Sequence, residues 1–166
     1  MRKYDRKKLG WLQLFKQIVV VVVLALLVLN ILIGVSRVDG VSMVPTLKNK
    51  RIVMYWRLGD NYKTGDVVAI KMPNGDKYVK RVIGVPGDEI DIKDGFVYIN
   101  GQQLHESYVN GGDGNTKLQN ADIKYPYKVE NDTFFVMGDN RAESMDSRTF
   151  GAVIRDNIKG VLLLDY

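Results

Sequence analysis

Cysteine is absent from the 166 residues of this chain. Disulfide frameworks, thiolate nucleophiles and zinc–thiolate sites are therefore excluded, and an oxidising compartment poses the chain no chemical hazard. Histidine occurs once, as His105. A multi-histidine metal centre is thus ruled out, and any serine–histidine–aspartate triad would have to run through that one residue. No metal and no cofactor are expected. Acidic residues are nearly missing from the first 17 positions, where Asp5 stands alone against Arg2, Lys3, Arg6, Lys7, Lys8 and Lys16. This tail accounts for the whole formal charge of +5, and beyond it cations and carboxylates are interleaved in nearly equal number. A nucleic-acid partner needs basic residues clustered on a folded face, so none is expected.

Beyond the tail lies an almost unbroken apolar run, Ile18 to Val35, in which Asn30 is the one strongly polar side chain. At about 1.5 Å per residue a helix of that length covers roughly 27 Å, close to the hydrocarbon thickness of a bilayer. Trp11 sits where an interfacial aromatic anchor would, and Lys16 can snorkel to the headgroups. A buried core helix is the competing reading, and Gly34-Val35-Ser36 loosely offers a signal-peptide cleavage site. The run exceeds the usual h-region of about 7 to 15 residues, which favours an uncleaved anchor. The positive-inside rule then places residues 1–16 in the cytoplasm as a basic tail, 17–35 in the membrane and 36–166 outside.

After Val35 the pattern breaks into strand-length runs rich in β-branched and aromatic residues: Arg51 to Trp56, Asp66 to Lys71, Tyr78 to Ile83, Glu89 to Lys93 and Gly160 to Asp165. Asp94-Gly95 and Asn100-Gly101 punctuate consecutive short strands as hairpin turns, predicting a β-meander. Asn110 to Asn115 is glycine-rich and polar, and reads as a mobile loop within a subdomain inserted at about 88–130. The fold class expected is a mainly β exported domain of twisted antiparallel sheets, preceded by one transmembrane α-helix.

Three clusters carry candidate chemistry: Ser42-Met-Val-Pro-Thr46, then Lys80-Arg81 running to Pro86-Gly87-Asp88, then Gly138-Asp139-Asn140-Arg141 continuing to Ser144-Met145-Asp146-Ser147-Arg148. Taken singly they read as a loop serine, a solvated strand lysine and turn formers. In this order, downstream of a single anchor and with Gly65-Asp66 between the first two, they resemble the boxes of the type I signal peptidase family.

That resemblance implies a membrane-bound serine endopeptidase of the bacterial cytoplasmic membrane. Such an enzyme removes N-terminal signal peptides from exported preproteins after small residues, at Ala-X-Ala-like sites. It implies that Ser42 is the nucleophile, Lys80 the general base, Ser144 the serine that orients the lysine, and Asp146 with Arg148 an ion pair buttressing the last box, with Asp139 among the supporting residues. One branch of the family has a serine two positions before the nucleophile. Here that position is Gly40, so the oxyanion hole is expected to use backbone N–H groups of Ser42 and Gly40, as in the Gram-positive branch. The partners implied are signal-peptide-bearing preproteins and the lipid bilayer, with a place near the secretion translocon.

The residue types suit that chemistry. A serine hydroxyl needs a neighbour to take its proton, and a lysine can serve if neutral, although roughly one lysine in two thousand is neutral at pH 7 at its ordinary pKa. Lys80 lies between apolar neighbours on an expected strand, where burial would lower that pKa. Met43, Met54, Tyr55 and Trp56 form either an apolar rim against the bilayer or ordinary core. Other readings stay open: a triad through His105, a signal-peptidase-like assembly factor for surface proteins or pili, and a self-cleaving repressor with similar serine/lysine chemistry.

Overall fold

The computed structural model describes residues 2–59 and 61–163. The chain divides into an N-terminal helical unit ending at Ile33 and a β-rich unit from Gly34 onward. Helix α1 spans Arg2–Leu32, and its Gly10–Leu32 stretch of 23 residues is long and apolar enough to cross a membrane, judged by length and composition. The helix stops three residues short of the end of the apolar run. Gly34 is a poor helix residue followed by a β-branched Val35, and the chain enters a strand instead. A Cβ at Gly34 would fall 2.1 Å from the Tyr55 ring, so only glycine allows that close approach.

Eleven strands come next among the described residues: β1 (Ile33–Arg37), β2 (Ile52–Trp56), β3 (Val67–Lys71), β4 (Lys77–Gly84), β5 (Glu89–Lys93), β6 (Phe96–Ile99), β7 (Gln102–Gln103), β8 (Tyr127–Lys128), β9 (Thr133–Met137), β10 (Val153–Ile154) and β11 (Ile158–Leu162). A short helix α2 spans Ser147–Phe150. The last strand begins two residues before the expected run, and Leu164 and Asp165 lie outside the described residues. The strands form a seven-stranded sheet in the order β1-β2-β11-β3-β4-β9-β10 and a four-stranded sheet in the order β7-β6-β5-β8. Pairing is antiparallel from β2 through β11, β3, β4 and β9 to β10, and throughout the smaller sheet.

The second sheet is contributed wholly by chain between β4 and β9. Its hairpins turn at Asp94-Gly95 and Asn100-Gly101, where both residues of each pair have positive φ, as the right-handed twist of a two-residue hairpin requires.

Burial explains why the central strands read as continuous apolar runs rather than alternating ones. On β3, Val68 and Ile70 join one core cluster with Val82, Phe134 and Val136, while Val67 and Ala69 join another with Val38, Met43 and Leu47. Both faces of the strand are covered. On β9 the same division holds, with Phe135 and Met137 entering a third cluster with Ile83, Ile90 and Val97 that joins the large sheet to the small one. Met43 belongs to the core at 1 % exposure, whereas Met54 and Trp56 are exposed at 51 % and 39 %. Of the two readings, ordinary core holds for Met43, whose side chain fills the cluster beneath the serine loop.

Candidate active site

The loop bearing Ser42 is held by its own apolar neighbours. Met43 and Leu47 are fully buried, a backbone bond from the Leu47 N–H to the Met43 carbonyl closes the turn, and the Val44–Pro45 peptide is cis. Asn140 fixes the other side: its N–H donates to the Ser42 carbonyl at 2.9 Å and its side-chain amide to the Val41 carbonyl at 3.3 Å. The half-buried Ser42 side chain is thereby held at the Nζ of Lys80, 2.7 Å from Oγ.

Lys80 reaches this point from β4, opposite Val68 of β3, and is 2 % exposed. Burial away from water is the main force on its ammonium and lowers the pKa from 10.5 to about 8. The carboxylates of Asp146 and Asp139 push it up and the Arg148 guanidinium pushes it down. Strand β9 pairs with β4 only from Arg81 onward, so the Lys77–Lys80 stretch has β3 on one edge and, among the described residues, no partner strand on the other. A narrow cleft runs along this open edge to Ser42, between Ser36 to Asp39 on one wall and Lys77 to Val79 on the other.

Two buried ion pairs frame the dyad. Arg81 makes a bidentate pair with Asp139 at 2.9 and 2.7 Å, and donates also to the Gly65 carbonyl at 2.8 Å. The Thr46 hydroxyl donates to the same carboxylate at 2.5 Å, so four separate sequence boxes converge on one arginine–aspartate pair. Arg148 forks onto Asp146 at 2.9 and 2.8 Å with both side chains fully enclosed. Asp146 also caps α2 through the Arg148 N–H and accepts the Gly138 N–H at 3.0 Å. A Cβ on Gly138 would meet the Ser144 Oγ at 2.2 Å and the Ser42 carbonyl at 2.5 Å, so this glycine is required by space and not by φ.

The structure thus brings Ser42, Lys80, Asp139, Asp146 and Arg148 together, and differs from expectation at two positions. The Ser144 Oγ is buried beside Gly138 with no hydrogen-bond partner among the described residues, because the Lys80 Nζ is directed at Ser42. The expected Ser144–Lys80 bond is not made in this arrangement. The Gly40 N–H donates to the side-chain carbonyl of Asn49 at 3.1 Å, so it is not free to point into an oxyanion site. The Ser42 N–H has no acceptor among the described residues. His105 is exposed and its Nδ1 faces Asp113 at 3.1 Å, which leaves it no serine to activate.

Several site residues were not singled out from the sequence. Arg81, Thr46 and Asn140 lie inside the recognised boxes, but no local pattern marks what each of them bonds to. Arg141 was visible in its box, but its buried partner Glu106 was not. Arg141 contacts Glu106 at 2.5 and 3.1 Å and the Thr116 hydroxyl at 2.5 Å, while its Nε donates to the Gly138 carbonyl. Tyr108 joins the group under the Arg81 guanidinium, 3.9 Å from ring centroid to Cζ, with its hydroxyl bonded to Glu106. Burial and the Glu106 charge raise the pKa of that phenol.

Comparison with known proteins places nearly the whole chain in one family. The family described as "Signal peptidase, peptidase S26" matches residues 11–166. The chain is 38% identical to signal peptidase I P of Bacillus subtilis subsp. natto, over 95% of this chain and 89% of that protein. It is 40% identical to signal peptidase I S of Bacillus subtilis, over 93% and 88%. The crystal structure of a signal peptidase I from Enterococcus faecalis superposes with a TM-score of 0.52 at 33% identity, covering 61% of this chain and 96% of that one. With the family matched over nearly the whole length and the serine cleft built from the same segments, this chain belongs to the signal peptidase family, peptidase S26.

Proposed function

We propose that this chain is a signal peptidase I that cleaves signal-peptide-bearing preproteins with Ser42 as nucleophile and Lys80 as general base. One observation carries the reading: a buried lysine with a lowered pKa lies 2.7 Å from a serine oxygen at the end of an open-edged cleft. An extended peptide can pair with the free edge of Lys77–Lys80 as an added strand, which sets its carbonyl against Ser42. Neutral Lys80 then accepts the Ser42 proton as Oγ attacks that carbonyl carbon. The same contact serves both states, the ammonium donating to Oγ and the hydroxyl donating to the amine.

The oxyanion formed is stabilised by the Ser42 N–H, and Gly40 can join it only by exchanging Asn49 for the oxyanion. Collapse transfers the Lys80 proton to the departing amine and leaves an ester on Ser42, which a Lys80-activated water hydrolyses. Asp139 with Arg81, and Asp146 with Arg148, hold the segments around the two reacting groups without accepting protons themselves. Ser144 adjoins the dyad with an unsatisfied hydroxyl, and a small rotation of Lys80 after proton transfer would give it the hydrogen bond it lacks.

The apolar Gly10–Leu32 helix supports a single-pass anchor in a bacterial cytoplasmic membrane, with the basic tail inside and the β-rich unit outside. Substrates delivered at the translocon would meet the cleft close to the bilayer, because Ser42 follows the last helical residue by only ten positions. The decisive experiment is digestion of a preprotein by detergent-solubilised wild type and Ser42→Ala, with cut sites mapped by mass spectrometry. Wild type is expected to cut once after a small residue, and Ser42→Ala not at all. Cleavage by Ser42→Ala near the wild-type rate would refute the assignment.

A further inference from the structure

The cleft leading to Ser42 does not end at Lys77. It shares Ser36, Lys77 and Tyr78 with a second cavity of about 410 Å³ in which four cations converge: Arg57, Lys71, Lys77 and Lys159. No carboxylate lines this space, and none of the four makes an ion pair among the described residues. Asp76, next in the chain to Lys77, accepts from the Asn74 amide and the Tyr78 hydroxyl instead.

The arrangement carries an unfavourable register. Lys71 of β3 stands directly opposite Lys77 of β4, and like charges placed so are destabilising. Lys159 adds a third cation from the irregular Ile158–Gly160 step of β11; its Nζ is bonded to the Asp156 carbonyl, which leaves its charge unpaired. Repulsion held together in a concave space with no acidic lining among the described residues is relieved by an anion.

Position selects which anion. Along β4, Lys77 is roughly 10 Å from Lys80, about three residues at about 3.4 Å each, and the cavity opens there and extends past it to Lys71 and Lys159, so a peptide lying in the cleft would bring a side chain into it about four to six residues from the bond cut. The cavity is also lined by Val35, three residues beyond the last helical residue. The signal peptide's own apolar segment, still in the bilayer, leads to the cut from that side.

We propose that this basic cavity is a specificity subsite for the carboxylate of an Asp or Glu about four to six residues upstream of the cleaved bond. The proposal rests on the peptidase reading and deepens it. A lipid phosphate would share the charge, but the walls held in common with the catalytic cleft favour the peptide.

The test uses full-length enzyme in a neutral detergent and three otherwise identical preprotein peptides with Glu, Gln or Lys five residues upstream of the cut. At low salt, wild type is expected to cut the Glu peptide with about fivefold higher kcat/KM than the Gln peptide, with the Lys peptide poorest. The difference should sit mainly in KM, since the contact is remote from the reacting atoms. The Glu/Gln ratio should collapse toward one in a Lys71→Gln/Lys159→Gln double variant, and also near 1 M salt, where screening shortens to about 3 Å.

Equal rates on Glu and Gln peptides by wild type would overturn the subsite while leaving the peptidase intact, as would a ratio that survives in the double variant. If the double variant differs from wild type only when phosphatidylglycerol vesicles are added, the site belongs to a lipid phosphate and the proposal fails. If wild type cuts none of the peptides, the peptidase reading fails and the subsite with it.

Discussion

The pH dependence of cleavage tests the site most directly, because it reads the protonation of one side chain. Lys80 loses the hydration of its ammonium on burial, and its pKa falls from 10.5 to about 8. Only the neutral amine can take the Ser42 proton, so the rate follows the neutral fraction, about 1 % at pH 6, 10 % at pH 7, half at pH 8 and 90 % at pH 9. Activity should therefore climb about tenfold from pH 6 to 7 and about fivefold from pH 7 to 8, then flatten above about pH 9. A histidine base would level off already near pH 7.5. An unshifted lysine would keep rising about tenfold per unit through pH 9.

The assay is kcat/KM on a preprotein between pH 6 and about 10, run for wild type, Lys80→Arg and His105→Ala. Lys80→Arg keeps the positive charge, but a guanidinium with a pKa above about 12 is not deprotonated in this range, so activity should drop by about three orders of magnitude or more. His105→Ala should keep the wild-type profile, because His105 contacts Asp113 and not the dyad. A profile levelling near pH 7.5, or an active Lys80→Arg, would refute Lys80 as the base. A rise continuing unbroken past pH 9.5 would refute burial as the source of its activation.

The same geometry sets three further outcomes. Since the folded pKa of Lys80 is depressed, its charge destabilises the fold fully below about pH 8 and the penalty fades between about pH 8 and 10.5. Inactive Lys80→Met should thus be more stable than wild type by about 2 to 3 kcal/mol at pH 7, a gap that urea unfolding should show closing as pH rises. Gly138→Ala forces a Cβ to within 2.5 Å of the Ser42 carbonyl, a backbone atom that cannot swing aside; kcat should fall by at least about tenfold. Arg141→Ala leaves Glu106 buried and unpaired, and thermal unfolding should register a loss of about 3 to 5 kcal/mol; Glu106→Gln, which keeps amide contacts to the guanidinium, should cost less.

The legible parts of this protein are those encoded locally. The helix, the Asp94-Gly95 and Asn100-Gly101 hairpins and the strand-length runs arise from periodicity and turn chemistry, which act over a few residues. The three boxes could be read because their residues are contiguous, and their order carried the family resemblance. The helix end was misplaced because an apolar run does not record where it stops being helical. Gly34 and its packing against Tyr55 decide that point.

Sequence alone determined which residue types could do the chemistry: no thiol, one histidine, and a serine and a lysine 38 positions apart. The tertiary structure decided that they meet, because antiparallel pairing of β3 with β4 and burial of Met43 and Leu47 bring the two chain segments to one point. It also decided what no local pattern contains. Glu106 is matched to Arg141 across 35 residues, Asn49 takes the Gly40 N–H, the Ser144 hydroxyl is left without a partner, and Lys71 is set against Lys77. Hydrogen bonds and charge pairs act over a few ångströms in space, and only the fold fixes which atoms lie within that range.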